Sequence, residues 1–198
     1  MGLKESSSNI TFINIKDGNL SVKQNDGNYK SYRSLGGIIK KVGFATNTSP
    51  SSGVTYQTAK IIIDSDGESF QLEMYTDSRY FLSLCNFLKS SDPLQPVEIS
   101  PSQKIIEGKK IQTCFVRQND IALKAAYTKD RMGDLPPLEP VAGQTYLDNK
   151  KQIKFWKEWL ISTYGEFKVN APTPVSGPSH SSPDNINNLT EIVDDLPF

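Results

Sequence analysis

Residues 36–46 read GGIIKKVGFAT, an apolar run with glycine at both ends. Glycine inside a strand marks a sharp bend or a close backbone approach, so this stretch predicts one long strand that curls, as at the corner of a small barrel. Strict alternation would send Lys40 and Lys41 to opposite faces, so at most one of them would lie on a given groove. Asn47 to Gly53 (NTSPSSG) is a loop of turn formers, and Val54 to Asp64 is a second long strand. Alternation there places Thr55, Gln57, Ala59, Ile61 and Ile63 on one face and Val54, Tyr56, Thr58, Lys60 and Ile62 on the other. The second set puts a ring, a hydroxyl and a cation in line. After the turn Asp64-Ser65-Asp66-Gly67, Glu68 to Tyr75 returns with Phe70, Leu72 and Met74 facing in. Glu73 then shares a face with Ser69, Gln71 and Tyr75.

Beyond the third strand the apolar spacing changes. Phe81, Leu84, Cys85 and Leu88 recur at three and four residues, predicting a helix over 78–89 with Asp77 as N-cap and Lys89 near the negative end of its dipole. Ser90 to Pro101 reads as a proline-bearing connection. Strands are expected again at Lys104–Ile106, Ile111–Arg117 and Ile121–Tyr127, with Gln118-Asn119-Asp120 as a hairpin turn between the last two. On the final strand Ile121, Leu123, Ala125 and Tyr127 share one face and Lys124 takes the other. Counted from Gly36, the order is strand, strand, strand, helix, strand, strand. That order resembles the OB-fold, and the expected architecture is mainly β: a five-stranded OB barrel with a helix capping one end.

Outside this unit, Ile10, Phe12 and Ile15, the turn Asp17-Gly18-Asn19, and Leu20 and Val22 predict an N-terminal hairpin extension. Gln24 to Ser34 is polar but carries Tyr29, Lys30, Tyr32 and Arg33. Such interleaving of rings and cations suits a single-strand binder, because a base stacks on a ring while the phosphate is neutralised beside it. Two tyrosines half-buried against the sheet are the plainer account. Lys129 to Thr145, with Pro136, Pro137 and Pro140, is too long for an ordinary connection and either wraps the barrel or flanks a groove. Asp148 is expected to cap a second, C-terminal helix over 149–164, stopped by Gly165. Its stripe of Ile153, Trp156, Leu160 and Tyr164, with Phe155 and Trp159 beside it, fits docking on the barrel better than base stacking.

Residues 170–188 turn to Pro, Ser, Asn and Gly, a composition that cannot offset the entropy of ordering. The chain therefore divides into a folded domain over 1–169 and a disordered acidic tail over 170–198. The 22 Lys+Arg and 22 Asp+Glu divide unevenly as well: four acids and no Lys or Arg lie beyond residue 170, so the body is mildly basic. Cys85 and Cys114 lie in apolar settings and read as reduced, buried thiols. The only histidine, His180, is in the tail, so no zinc constellation or histidine triad can be assembled, and no metal or cofactor is expected. No apolar run approaches a bilayer-spanning length, and the expected setting is the cytoplasm, with no membrane partner.

The chain ends Asp194-Asp195-Leu196-Pro197-Phe198. Two carboxylates, an aliphatic side chain, a proline and a terminal phenylalanine make a compact docking peptide, its ring suited to an apolar pocket and its anionic groups to a basic rim. This ending resembles the acidic tip of the single-stranded DNA-binding proteins of bacteria and many of their phages. The resemblance implies a non-catalytic, sequence-tolerant binder of single-stranded DNA, possessing an OB-fold. It also implies that the tip recruits replication and recombination proteins such as a polymerase, helicase, primase or nuclease. The match is strict only in the last five residues; the N-terminal hairpin, the proline-rich loop and the second helix depart from the compact bacterial form. That departure argues against its tetramer and favours a phage-type monomer or dimer, a homo-oligomer being one expected partner arrangement. On this reading the groove residues are Tyr29, Tyr32, Arg33, Lys40, Tyr56, Lys60, Arg117 and Lys124. The alternative is an adaptor that binds no DNA and uses the tail as a docking peptide.

Overall fold

Alternating burial over residues 35–75 builds the centre of the molecule. In a computed structural model, which describes residues 10–142 and 147–169, three antiparallel strands occupy this region: β4 (Leu35–Thr48), β5 (Thr55–Ser65) and β6 (Glu68–Tyr75). Ahead of them come β1 (Ile10–Lys16), β2 (Asn19–Lys23) and β3 (Tyr29–Tyr32); after them, helix α1 (Arg79–Leu88), β7 (Val97–Ile106), β8 (Lys109–Gln118) and β9 (Ile121–Ala122). A two-residue ladder, β10 (Glu139–Pro140) with β11 (Leu147–Asp148), precedes helix α2 (Lys150–Tyr164). The first nine strands form one mixed sheet in the order β3-β2-β1-β6-β5-β4-β7-β8-β9, with β1 parallel to β6 and every other pair antiparallel.

The expected five-stranded barrel does not close. Its closure would need β6 to pair with β8, and both edges are already taken. The free edge of β6 is filled by β1 in the register Ile13↔Leu72. On β8, the Cys114 amide donates to Ser83 Oγ of α1 at 2.8 Å, and Leu123 donates to Val116 O. Since a backbone edge accepts one partner, the N-terminal segment and α1 together keep the sheet open. The extension is thus three strands rather than a hairpin, and β3 arises from the polar stretch with no apolar alternation.

One core serves both helices. Ile39, Val42, Ala59, Ile61, Ile63 and Leu72 meet Phe81, Leu84, Cys85 and Leu88 of α1, Ile99 and Val116 of the β7–β8 hairpin, and Trp156 and Leu160 of α2. Each fully buried aliphatic side chain contributes about 1.5–3 kcal/mol. The expected inward face of β5 and the apolar stripes of both helices are the ones buried. The α1 cap is Ser78, not Asp77: its Oγ accepts from the Phe81 amide at 3.2 Å. At α2 the Lys150 N–H donates to Asp148 Oδ1 at 2.8 Å, one residue outside the cap position held by Asn149.

Three local expectations are corrected. Pro101 lies inside β7 opposite Cys114, beyond the point where β4 leaves that strand at Ile99, so one side of β7 has no ladder to lose there. The final strand stops at Ala122, short of the expected Tyr127, whose N–H and C=O are both taken by the Asn86 side chain of α1. Lys40 and Lys41 do not alternate: β4 has a bulge between Ile39 and Lys41. The extra residue lets Ile39 and Val42, three apart, both face the core while both lysines are exposed.

The glycines of the 36–46 stretch mark close approaches. At Gly37 (φ 152°), where β4 passes between β5 and β7, a Cβ would lie 2.5 Å from the Asp64 carbonyl oxygen. At Gly43 it would meet the Phe167 ring and Val169, which follow α2 and are tied to β4 by Val42 N–H to Gly165 O and Phe167 N–H to Val42 O. The predicted tail over 170–198, with Asp194 to Phe198, lies outside the described residues.

Candidate nucleic-acid interface

Residues opposite one another in a ladder share a face, so register alone defines the side of the sheet away from the core. On β5 that side carries Tyr56, Thr58, Lys60 and Ile62, as alternation predicts. Their partners on β4 are Asn47, Ala45, Gly43 and Lys41; on β6, Tyr75 lies opposite Thr58, Glu73 opposite Lys60 and Gln71 opposite Ile62. The register continues onto β1 through Phe12↔Gln71 and Asn14↔Glu73, with Lys16 on the same side. It reaches β2 and β3 through Ser21, Lys23, Tyr29 and Ser31, with Arg33 at the bend just past β3. Phe167 and Val169 bound this face at Gly43.

The face carries aromatic rings that the core does not use. Tyr56 and Tyr75 stand edge to face with centroids 5.2 Å apart, and Tyr75 is 43 % and Phe12 60 % exposed. Burial, followed by the neighbouring Tyr56 and Glu73, raises the pKa of the Tyr75 phenol, so the ring is neutral at ordinary pH and does not repel a phosphate. Lys60 Nζ lies 3.9 Å from Glu73 Oε1, with both side chains partly exposed. Such a pair is worth at most about 1 kcal/mol, and a phosphate can displace the carboxylate from it. Lys16, Lys23, Lys41 and Lys60 stand on this side against Glu73 and Asp64, and Asp64 already accepts from Ser69 Oγ at 2.7 Å.

The expected groove residues divide. Tyr56 and Lys60 come together on the central strands, Tyr29 occupies the β3 end of the same face, and Arg33 sits at the bend after β3. Tyr32 points to the opposite side, where Lys30 Nζ sits 5.1 Å from its ring centroid. Lys40 is exposed at the bulge. Arg117 pairs in register with Glu98 on the β7–β8 wing, and Lys124 is exposed in the loop after β9. Arg33 also lines a cleft of about 590 Å³ with Asp17, Asn19, Glu98, Ser100 and Gln103. Its two carboxylates make it a poor phosphate site.

Sequence reading missed Phe12, Lys41 and Tyr75 as candidates. In Ile10–Lys16 apolar residues occur on both faces, so alternation leaves the inward set undecided; burial selects Ile13 and leaves Phe12 outside. The β7–β8 hairpin tip was also missed: Ile105 (71 % exposed) and Ile106 stand in solvent beside exposed Lys104 and Lys110. The α2 rings, by contrast, are structural, with Trp156 buried and Lys89 Nζ lying over both Phe155 and Trp159.

Compared with known proteins, the chain matches no family model, no curated protein and no solved structure.

Proposed function

We propose that this chain binds single-stranded DNA without sequence preference on the outer face of β1, β4, β5 and β6, and recruits replication or recombination proteins through Asp194 to Phe198. The observation that carries the reading is the partly exposed Tyr56–Tyr75 ring pair, with Tyr56 four residues along β5 from Lys60 and on the same face as exposed Phe12. Rings without a core role, interspersed with lysines, supply stacking surfaces for bases and charges for the backbone, and neither depends on base identity. The tip sequence supports the same reading. So does the connectivity β4-β5-β6-α1-β7-β8, with β4 paired to both β5 and β7. We read it as an OB-fold held open between its third and fifth strands.

The test is fluorescence anisotropy of labelled oligo-dT and of a matched duplex, titrated with the full chain at two salt concentrations. Tight binding to the single strand, weakened by salt, with little binding to the duplex, is the expected result. Equal or absent binding to both would overturn the reading and leave an adaptor whose tail is its docking element.

A further inference from the structure

The sheet ends at β3, and all four of its residues are exposed. Val22↔Lys30 and Ser21↔Ser31 pair one edge of β3 with β2; among the described residues no strand pairs with the other. An open edge of this kind presents unpaired N–H and C=O groups and is a template for another strand.

The sequence along this edge is Tyr29-Lys30-Ser31-Tyr32-Arg33, and about Ser31 it is self-complementary: Lys30 mirrors Tyr32, and Tyr29 mirrors Arg33. We propose that a second copy of this chain pairs its β3 antiparallel with β3, on a two-fold axis through Ser31 and perpendicular to the sheet. Such an axis keeps each face on its own side, so opposed residues must share a face. The pairings Ser31 with Ser31 and Lys30 with Tyr32 meet that condition, because Lys30 and Tyr32 lie on one side and Tyr29 and Ser31 on the other; Arg33, the first residue past β3, reaches Tyr29 when the paired strand runs on by one residue. Every cation then faces a ring and no like charges are opposed, in four cross-strand contacts. Lys30 already approaches the Tyr32 ring of its own strand. A register centred on Lys30 would oppose two ammonium groups. The two nine-stranded sheets would become one, and the outer faces would form a continuous surface with Tyr29 and Arg33 at the seam. That last consequence rests on the DNA-binding reading; the pairing itself does not.

Sedimentation equilibrium of the full chain tests the pairing, with a mass rising to about twice 22.0 kDa at micromolar concentrations as the expected result. Ser31→Cys should oxidise to a covalent dimer, because self-opposed residues have Cα atoms about 4.5 or 5.5 Å apart, within disulfide reach. Lys23→Cys on β2 should not, and the native thiols, both 0 % exposed, do not compete. The double variant Tyr29→Lys, Tyr32→Lys opposes cations at all four contacts and should weaken the dimer about tenfold or more. Mixing it with Lys30→Glu, Arg33→Glu should restore association. These positions are exposed, and an unchanged urea midpoint for each variant would show that the monomer fold survives. A chain that stays monomeric, or a dimer that ignores the double variant and leaves Ser31→Cys uncrosslinked, overturns the proposal. A monomer that binds single strands, or a dimer that does not, separates its failure from that of the DNA-binding reading.

Discussion

Asn86 ties the segment that follows the last strand of the sheet to α1. It is 2 % exposed; its Nδ2 donates to the Tyr127 carbonyl at 3.0 Å and its Oδ1 accepts the Tyr127 amide at 2.8 Å. Asn86→Ala strands two buried backbone groups, so a loss of about 2–4 kcal/mol is expected from urea unfolding. Tyr80 poses the opposite case. Its buried hydroxyl faces the Gly18 backbone and the Gln112 side chain without completing a hydrogen bond of good geometry, and burial pushes its pKa up to about 12. In the unfolded chain a tyrosine ionises near pH 10, so this contribution to stability is complete below about pH 10 and is lost as pH rises toward 12. Tyr80→Phe should therefore be more stable by about 1 kcal/mol at neutral pH and show a shallower loss between those values. A destabilised phenylalanine variant would mean that the hydroxyl has a partner. Neither role is legible in the sequence, where Asn86 and Tyr80 are two unremarked positions of an amphipathic helix.

Elements built on local periodicity were the legible ones. The Ile153, Trp156, Leu160 and Tyr164 stripe of α2 repeats at helical spacing, and its packing into the core shared with the sheet is what the structure contains. Trp156→Ala should cost about 3–5 kcal/mol and shift the thermal midpoint accordingly. Gly37 in β4 was legible as a bend, though not what presses on it. Because a Cβ there would meet the Asp64 carbonyl, Gly37→Ala should destabilise by about 1–3 kcal/mol, more than the same change at Gly36, where the space is open. Elements whose formation depends on a distant partner were the ones misread. β7 was hidden by Pro101, β3 has no alternation of its own, and the segment after β9 is held by α1 rather than by a strand.

The whole molecule decides how the outer face works. If Tyr56 and Tyr75 stack bases, replacing both by alanine should weaken oligo-dT binding by about 1–3 kcal/mol per base lost from the stack. Lys60→Gln should lower the slope of log affinity against log salt by about 0.7, one phosphate's share for a single strand. An unchanged slope would place Lys60 off the DNA path and leave it to Glu73. The acidic tip competes with DNA for the same cations if it can reach them. Deleting Asp194 to Phe198 should then tighten binding at low salt and have little effect at high salt.

By itself the sequence determined what nearest neighbours along the chain decide. Strand or helix follows from a spacing of two or of three to four, and the inward face of β5 and the buried stripes of α1 and α2 follow from which spacing is apolar. It also determined the tip, whose five residues need no fold to be recognised. Edges and faces shared between distant segments were settled only by tertiary structure. Nothing local in Ile10–Lys16 says that it will take the free edge of β6, and nothing in Ser83 says that it will take the Cys114 amide; together they keep the sheet open. The same holds for the candidate site. Tyr56 and Lys60 could be read from one strand, but Phe12 and Tyr75 join them only because three strands, brought together by backbone pairing, share one face.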